Sequence, residues 1–198
     1  MEPLVLASGS ATRRIMLENA GVDIVVDRPE VDEDGVKFEG KVHRWTAADT
    51  AGKLAEAKAR QVARRHPGRI VLGADQMLEC DGAWFDKPVD RAAAAAQIAK
   101  LSGRTHTLFS AVVAVRGGAV IWRCLETAEM SVRPLSPDFI ETYLDRVGDA
   151  VLSSVGGYQV EGLGIQLFDA IRGEHSTILG MPLIPLLAFL RAQGAIAS

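Results

Sequence analysis

Three short stretches of this chain combine residue types that could do chemistry. The first, Ser8-Gly9-Ser10 followed by Arg13-Arg14, places two hydroxyls, a glycine that lets backbone approach a ligand, and two guanidiniums at an expected helix start. Free N–H groups and the positive end of a helix dipole favour an anion there, which suits phosphate. The alternative is an ordinary capped helix with solvated arginines. The spacing is not that of a Walker loop, and no G-x-G-x-x-G follows a strand. The second set is Asp75, at the end of the apolar run Ile70 to Ala74, with Glu33 in an acidic stretch and the cations Lys58 and Lys87. Two carboxylates converging near a polyphosphate can hold a divalent cation while one of them deprotonates water, and a lysine neutralises phosphate charge. A turn-capping Asp75, a solvated Glu33 and a solvated Lys58 are the plainer alternatives.

The third stretch, Gly156 to Gly164, holds four glycines in nine residues with Glu161 among them. A carboxylate accepts two hydrogen bonds side by side, which matches the paired N–H donors on the Watson–Crick edge of guanine, whereas a uracil or thymine edge pairs better with an amide. A glycine-rich turn with an exposed glutamate is the alternative. Tyr158 stacks on a base or fills the core. His106 reads as a turn histidine with no identifiable partner, and without a G-x-S-x-G elbow a serine hydrolase triad is discounted.

The elements that must position these groups alternate between strand and helix. Leu4 to Ala7 reads as a strand, Thr12 to Ala20 as a helix, Val22 to Val26 as a strand, and Asp27 to Gly40 as a loop without periodicity. Thr46 and Asp49 form a capping pair for a long helix through Arg65, and Ile70 to Ala74 is a buried strand that delivers Asp75 at its C-terminal end. Met77 to Phe85 is expected as a hairpin turning at Asp81-Gly82, with a helix from Asp90 to Leu101 after it. Two long strands, Thr107 to Val115 and Ala119 to Val132, meet at Gly117-Gly118. Ser136-Pro137-Asp138 opens a helix with one apolar face, and the almost wholly apolar helix Pro182 to Ala192 is expected to be buried. The fold class is therefore α/β, a single domain over 1–198 that leaves room for two lobes around a cleft.

Composition narrows the function classes. The chain has 198 residues, 48% hydrophobic and 24% charged, with a net charge of −3, which argues against affinity built on neutralising many nucleic-acid phosphates. Cys80 and Cys124, the only cysteines, have no CxxC spacing, and no apolar run approaches the length of a membrane span. The expectation is a cytoplasmic protein that binds neither DNA, RNA nor membrane.

In order along the chain, the elements resemble the Maf family of septum-formation or nucleoside triphosphate pyrophosphatase proteins. They are Leu6-Ala7-Ser8-Gly9-Ser10 with Arg13-Arg14, Pro29-Glu30-Val31-Asp32-Glu33, Leu54-Ala55 with Lys58-Ala59, Gly73-Ala74-Asp75-Gln76, Lys87-Pro88, Leu101-Ser102-Gly103 with His106, Glu161-Gly162-Leu163-Gly164, and Gly180-Met181-Pro182-Leu183. The resemblance implies an ITPase-like mixed twisted sheet with flanking helices, two lobes around a nucleotide-binding cleft, and a homodimer. It implies Mg²⁺- or Mn²⁺-dependent hydrolysis of a nucleoside triphosphate to monophosphate and pyrophosphate. By the same carry-over Asp75 is the proton acceptor, Ser8, Ser10, Arg13, Arg14, Lys58 and Lys87 surround the phosphates, and Glu33 assists the metal.

Three positions bear on the base. The spacing from Ser8 to Arg14, with Thr12 inside it, and the pairs Asp75-Gln76 and Glu161-Gly162 look like the branch acting on 7-methyl-GTP. Methylation at N7 makes guanine cationic, and Glu161 would be its anionic partner. Thr12, Gln159 and Ala11 depart from that branch's aromatic, Lys and Pro. Two other functions compete with this expectation: a dTTP or UTP pyrophosphatase, and a nucleotide-binding regulator of cell division in which turnover is incidental.

Overall fold

A computed structural model describes residues 2–197. Its strands are β1 (Leu4–Ala7), β2 (Ile24–Val26), β3 (Val71–Cys80), β4 (Ala83–Phe85), β5 (Thr105–Arg116), β6 (Ala119–Val132) and β7 (Phe168–Arg172). Its helices are α1 (Ala11–Asn19), α2 (Glu33–Val42), α3 (Ala47–Ala63), α4 (Arg91–Leu101), α5 (Pro137–Val147), the single turn α6 (His175–Ile178) and α7 (Leu183–Ala192). The strands make a mixed sheet in the order β2-β1-β3-β5-β6-β7, with β4 beside β3. β1 runs parallel to β2 and β3, whereas β3 with β4 and β6 with β7 are antiparallel. The chain divides into two compact units, Met1–Gln76 with Phe109–Thr127 and Glu174–Ser198, and Met77–Leu108 with Ala128–Gly173.

In the first unit the period-two alternation of β1 and β3 sorts side chains to two faces. Leu4, Leu6, Leu72 and Ala74 join Met16 and Leu17 of α1 and Leu186, Phe189 and Leu190 of α7 in one buried cluster. Val5, Ala7 and Val71 pack on the opposite face with Val62 of α3. Burial of each large side chain stabilises the unit by about 1.5–3 kcal/mol. The helix starts follow from local chemistry: Ser10, Thr46, Asp90 and Ser136 each accept a first-turn N–H, and Thr46 with Asp49 completes a capping box.

The second unit packs α4 against α5, with Ile98, Leu101, Leu108, Leu144 and Tyr158 buried. The β3–β4 hairpin turns through Asp81 at φ 51° and Gly82 at φ 77°, the two left-handed residues of a tight two-residue connection.

Four expectations need correction. Asp27 to Gly40 is not all loop, since Glu33–Val42 forms α2, capped by Asp32, whose side chain accepts from Gly35 N. Two acidic residues in the first turn complement its dipole, while Gly35 and Gly40 hide its periodicity. Asp75 does not end a strand: β3 continues to Cys80 because β4 pairs with its second half. The last helix buries one face only, with Ile184 65% exposed. His106 is no turn residue but a buried member of β5.

Candidate active site

Parallel strands β1 and β3 are in register with Ala7 opposite Gly73, so the end of β1 lies beside the stretch of β3 that carries Asp75. The loop Ser8-Gly9-Ser10 then turns into α1. Ser8 is buried, and its Oγ accepts from Ser10 N at 3.2 Å and from Arg13 Nη1 at 3.4 Å. Ser10 caps the helix, accepting from Arg13 N at 3.3 Å.

Asp75 and Lys58 form a buried ion pair. Lys58 Nζ donates to Asp75 Oδ1 at 2.5 Å, and Glu33 Oε1 of α2 lies 2.6 Å from the same nitrogen. Lys58 and Asp75 are each 6% exposed, so both charges have left most of their water. Desolvation makes such a pair weak as a source of stability, and a buried charge pair on the strand beside a loop of hydroxyls points to chemistry. Asp75 reaches α3 because odd-numbered residues of β3 face that helix, and Gly73 lets α3 come close: a Cβ there would meet Ala59 N at 2.6 Å.

Arg13 is held from three directions. Nε donates to the Gly180 carbonyl at 2.9 Å, and Nη1 to the Ala74 carbonyl at 2.9 Å and to Ser8 Oγ. Nη2 makes no hydrogen bond among the described residues, which leaves its two N–H groups as the donors this guanidinium can offer a ligand. Burial lowers the Arg13 pKa from its ordinary value, with Asp75 and Glu33 acting in the opposite direction. Arg13 and Lys58 thus balance Asp75 and Glu33, and carboxylate oxygens and cationic N–H donors occupy one region of the first unit.

The other expected residues are placed differently. Arg14 points away and pairs with Glu18 at 3.2 Å on the exposed side of α1. Thr12 is half-buried in the first turn of α1. Gln76 sends its amide nitrogen to Ser110 Oγ at 2.9 Å, to the Ile178 carbonyl at 3.0 Å and to the Thr177 carbonyl at 3.2 Å. Lys87 and Glu161 belong to the second unit, and both are exposed. Ser110 and Thr177 are participants that the sequence reading missed, and Gly180 was named there only as part of a motif. Ser110 was detectable as the one hydroxyl in the apolar run from Leu108 to Val115.

A divalent cation has limited protein ligands here. Among the described residues no group of three or more His, Cys, Asp or Glu could hold a metal. Asp75 and Glu33, each with a second carboxylate oxygen, nevertheless fit a Mg²⁺ or Mn²⁺ that is bound through one or two carboxylates and otherwise by phosphate oxygens and water.

Within the second unit, His106 Nε2 lies 2.6 Å from Tyr158 Oη, and Nδ1 is buried without a hydrogen-bond partner among the described residues. The neutral tautomer that satisfies most groups has Tyr158 donating to Nε2 and the ring proton on Nδ1. Burial pushes the His106 pKa down to about 4 and that of Tyr158 up. Tyr143 Oη donates to the Gly157 carbonyl at 3.2 Å, and Ser154 Oγ to that of Tyr158 at 2.6 Å. These bonds anchor the glycine-rich segment that carries Glu161.

The Maf-like protein family model matches residues 3–193. A nucleoside triphosphate pyrophosphatase of Paramagnetospirillum magneticum is 51% identical over 190 residues, covering 96% of this chain and 98% of the relative. One of the same name from Nitrobacter winogradskyi is 50% identical over 192 residues, covering 97% and 94%. Among solved structures, a HAM1 protein from Coxiella burnetii superposes with a TM-score of 0.45 at 15% identity, over 67% of this chain and 73% of that one.

Proposed function

The chain belongs to the Maf-like protein family, and we propose that, as a nucleoside triphosphate pyrophosphatase, it acts on 7-methyl-GTP or another modified nucleotide in a house-cleaning role. The pyrophosphatase chemistry is what its curated relatives are named for. The observation that carries the reading is the triad in which Lys58 Nζ stands 2.5 Å from Asp75 and 2.6 Å from Glu33. The family match over residues 3–193 supports treating the chain as one catalytic domain.

In this reading Asp75 accepts a proton from the attacking water. The water oxygen bonds to the α-phosphorus, the bond from that phosphorus to the bridging oxygen breaks, and pyrophosphate leaves with the nucleoside monophosphate as the other product. Lys58 fixes the Asp75 carboxylate so that its second oxygen faces the water. Arg13 offers its Nη2 donors to the negative charge that grows on the phosphoryl oxygens, and the hydroxyls of Ser8 and Ser10 line the same loop. Asp75 and Glu33 would hold a Mg²⁺ or Mn²⁺, which would supply further charge stabilisation when bound.

Base choice rests on Glu161, whose carboxylate suits the N1–H and N2–H₂ donors of a cationic methylated guanine; Thr12 and Gln76 are the other two positions at which the family's branches differ. The resemblance further suggests a homodimer working in the cytoplasm, and no helix among the described residues is long and apolar enough to cross a membrane.

The test is pyrophosphate release from 7-methyl-GTP, GTP, dTTP, UTP, CTP and ITP with Mg²⁺ or Mn²⁺, alongside Asp75→Asn and a chelated control. Preference for 7-methyl-GTP that disappears in the variant and on chelation supports the whole reading. A pyrimidine preference keeps the chemistry and overturns the base assignment. No release from any nucleotide overturns the enzyme reading in favour of nucleotide binding alone.

A further inference from the structure

Gln76 follows Asp75 on β3, and strand alternation sends it to the opposite face, toward α1 and the single helical turn α6. Three acceptors surround its amide nitrogen: Ser110 Oγ and the carbonyls of Thr177 and Ile178. Ser110 Oγ in turn donates to the Thr177 carbonyl at 2.7 Å. Reversing the amide would set its oxygen against two carbonyl oxygens, so the network itself fixes the nitrogen inward.

That turn leads directly to Gly180, whose carbonyl takes the Arg13 Nε hydrogen bond. Gly180 has φ +90°, and a Cβ on it would stand 3.3 Å from Arg13 Nη2 and 3.6 Å from Gln76 Cδ. Arg13 and Gln76 therefore meet across a single residue whose left-handed backbone disfavours a side chain and where a Cβ would crowd the guanidinium. Of the three anchors that aim Nη2, the Gly180 carbonyl is the one that Gln76 holds, through Thr177 and Ile178.

We infer that Gln76 is a positioning residue for phosphate binding, acting on Arg13 through the turn from Thr177 to Gly180. Its effect on the substrate passes through the phosphates, not through the base. The inference rests on one part of the reading above, that Arg13 contacts phosphate, and is independent of which base is preferred.

The experiment measures binding of inorganic pyrophosphate, which has no base, to the full chain with Mg²⁺ by calorimetry. Wild type is compared with Gln76→Met, Ser110→Ala, Arg13→Ala and the double variant Arg13→Ala/Gln76→Met. Gln76→Met and Ser110→Ala are each expected to weaken pyrophosphate about tenfold, the scale of one hydrogen bond to a charged group. The double variant binds no more weakly than Arg13→Ala alone, because the second change has nothing left to act through. In turnover, KM rises for all nucleotides by the same factor, kcat changes less, and the ratio of purine to pyrimidine activity stays constant.

Unchanged pyrophosphate affinity in both Gln76→Met and Ser110→Ala, with an altered base ratio, overturns the inference. So do multiplicative losses in the double variant. If Arg13→Ala itself leaves pyrophosphate binding intact, the phosphate reading of Arg13 fails, and the inference falls with it. Ser110→Ala removes only one hydroxyl, so it remains informative if Gln76→Met does not fold.

Discussion

Gly73 of β3 and Ala59 of α3 are packed so closely that a Cβ on the glycine would stand 2.9 Å from the Ala59 Cβ and 2.6 Å from the Ala59 nitrogen. The Ala55 carbonyl lies nearer still. Because these obstacles are mostly backbone, they can yield only if α3 shifts outward, and Lys58 shifts with it. Gly73→Ala is expected to cost about 3 kcal/mol of stability, at the upper end of ordinary overpacking. It should also lower kcat beyond any fall in folded fraction, since Lys58 would no longer reach Asp75. Urea unfolding alongside activity per folded molecule separates the two effects, and full activity in a destabilised variant would show that the close approach serves packing alone.

The two ends of the buried ion pair should fail differently. Asp75→Asn keeps the shape and leaves Lys58 paired with Glu33, so the fold should persist while kcat falls about 10³-fold, the scale of a lost general base. Lys58→Met leaves Asp75 buried opposite an apolar chain, which costs on the order of 3 kcal/mol. Thermal unfolding and pyrophosphate release on both variants check this. Equal destabilisation by the two changes would mean that Lys58 and Asp75 serve mainly as a structural pair.

Much of this arrangement was legible beforehand because local chemistry decides it. Thr46 with Asp49, Ser10, Asp90 and Ser136 announce helix starts by side chains that satisfy their own first turns. α2 was not legible, since Gly35 and Gly40 lower its helix propensity and Phe38 and Val42 leave no clear buried stripe. The residues of the Ser8-Gly9-Ser10 loop and the Lys58–Asp75 pair were named from their types, order and family resemblance, but not their directions. Arg13 and Arg14 are neighbours with the same side chain, and helical geometry alone sends one inward to Ser8 and Gly180 and the other outward to Glu18. The inward amide of Gln76 depends on Ser110 and on carbonyls about a hundred residues away, and the partner of His106 is 52 residues distant. Side-chain hydrogen bonds at such separations have no sequence period to betray them.

The base assignment has its own test in Glu161→Gln. An amide presents one acceptor and one donor where the carboxylate presents two acceptors, so a guanine edge loses a charge-assisted hydrogen bond while a uracil or thymine edge gains a complementary partner. The expected result is a fall of about tenfold to a hundredfold in kcat/KM for 7-methyl-GTP, with UTP and dTTP turnover unchanged or improved. A variant that loses all nucleotides equally would place Glu161 outside base recognition.

Acid stability should report on His106. Burial holds this ring to a pKa of about 4, below the ordinary value of 6.5, so the folded chain resists a proton that the unfolded chain accepts. As pH falls below 6.5 the unfolded state binds more protons, and stability declines until the folded ring also titrates near 4. The contribution is thus complete above pH 6.5 and lost across that window, and amounts to on the order of 3 kcal/mol. Carboxylates contribute at lower pH, because hydrogen bonds hold Asp27 beside Arg65, Asp49 beside Thr46 and Glu56 beside Arg123 below their ordinary values. His106→Gln removes the titrating ring, so its unfolding free energy should be lower at pH 7 but nearly flat from pH 6.5 to 4.5, where wild type slopes downward. Denaturant titrations at several pH values decide the matter: parallel curves for the two proteins would mean that His106 is not the group whose protonation the fold resists.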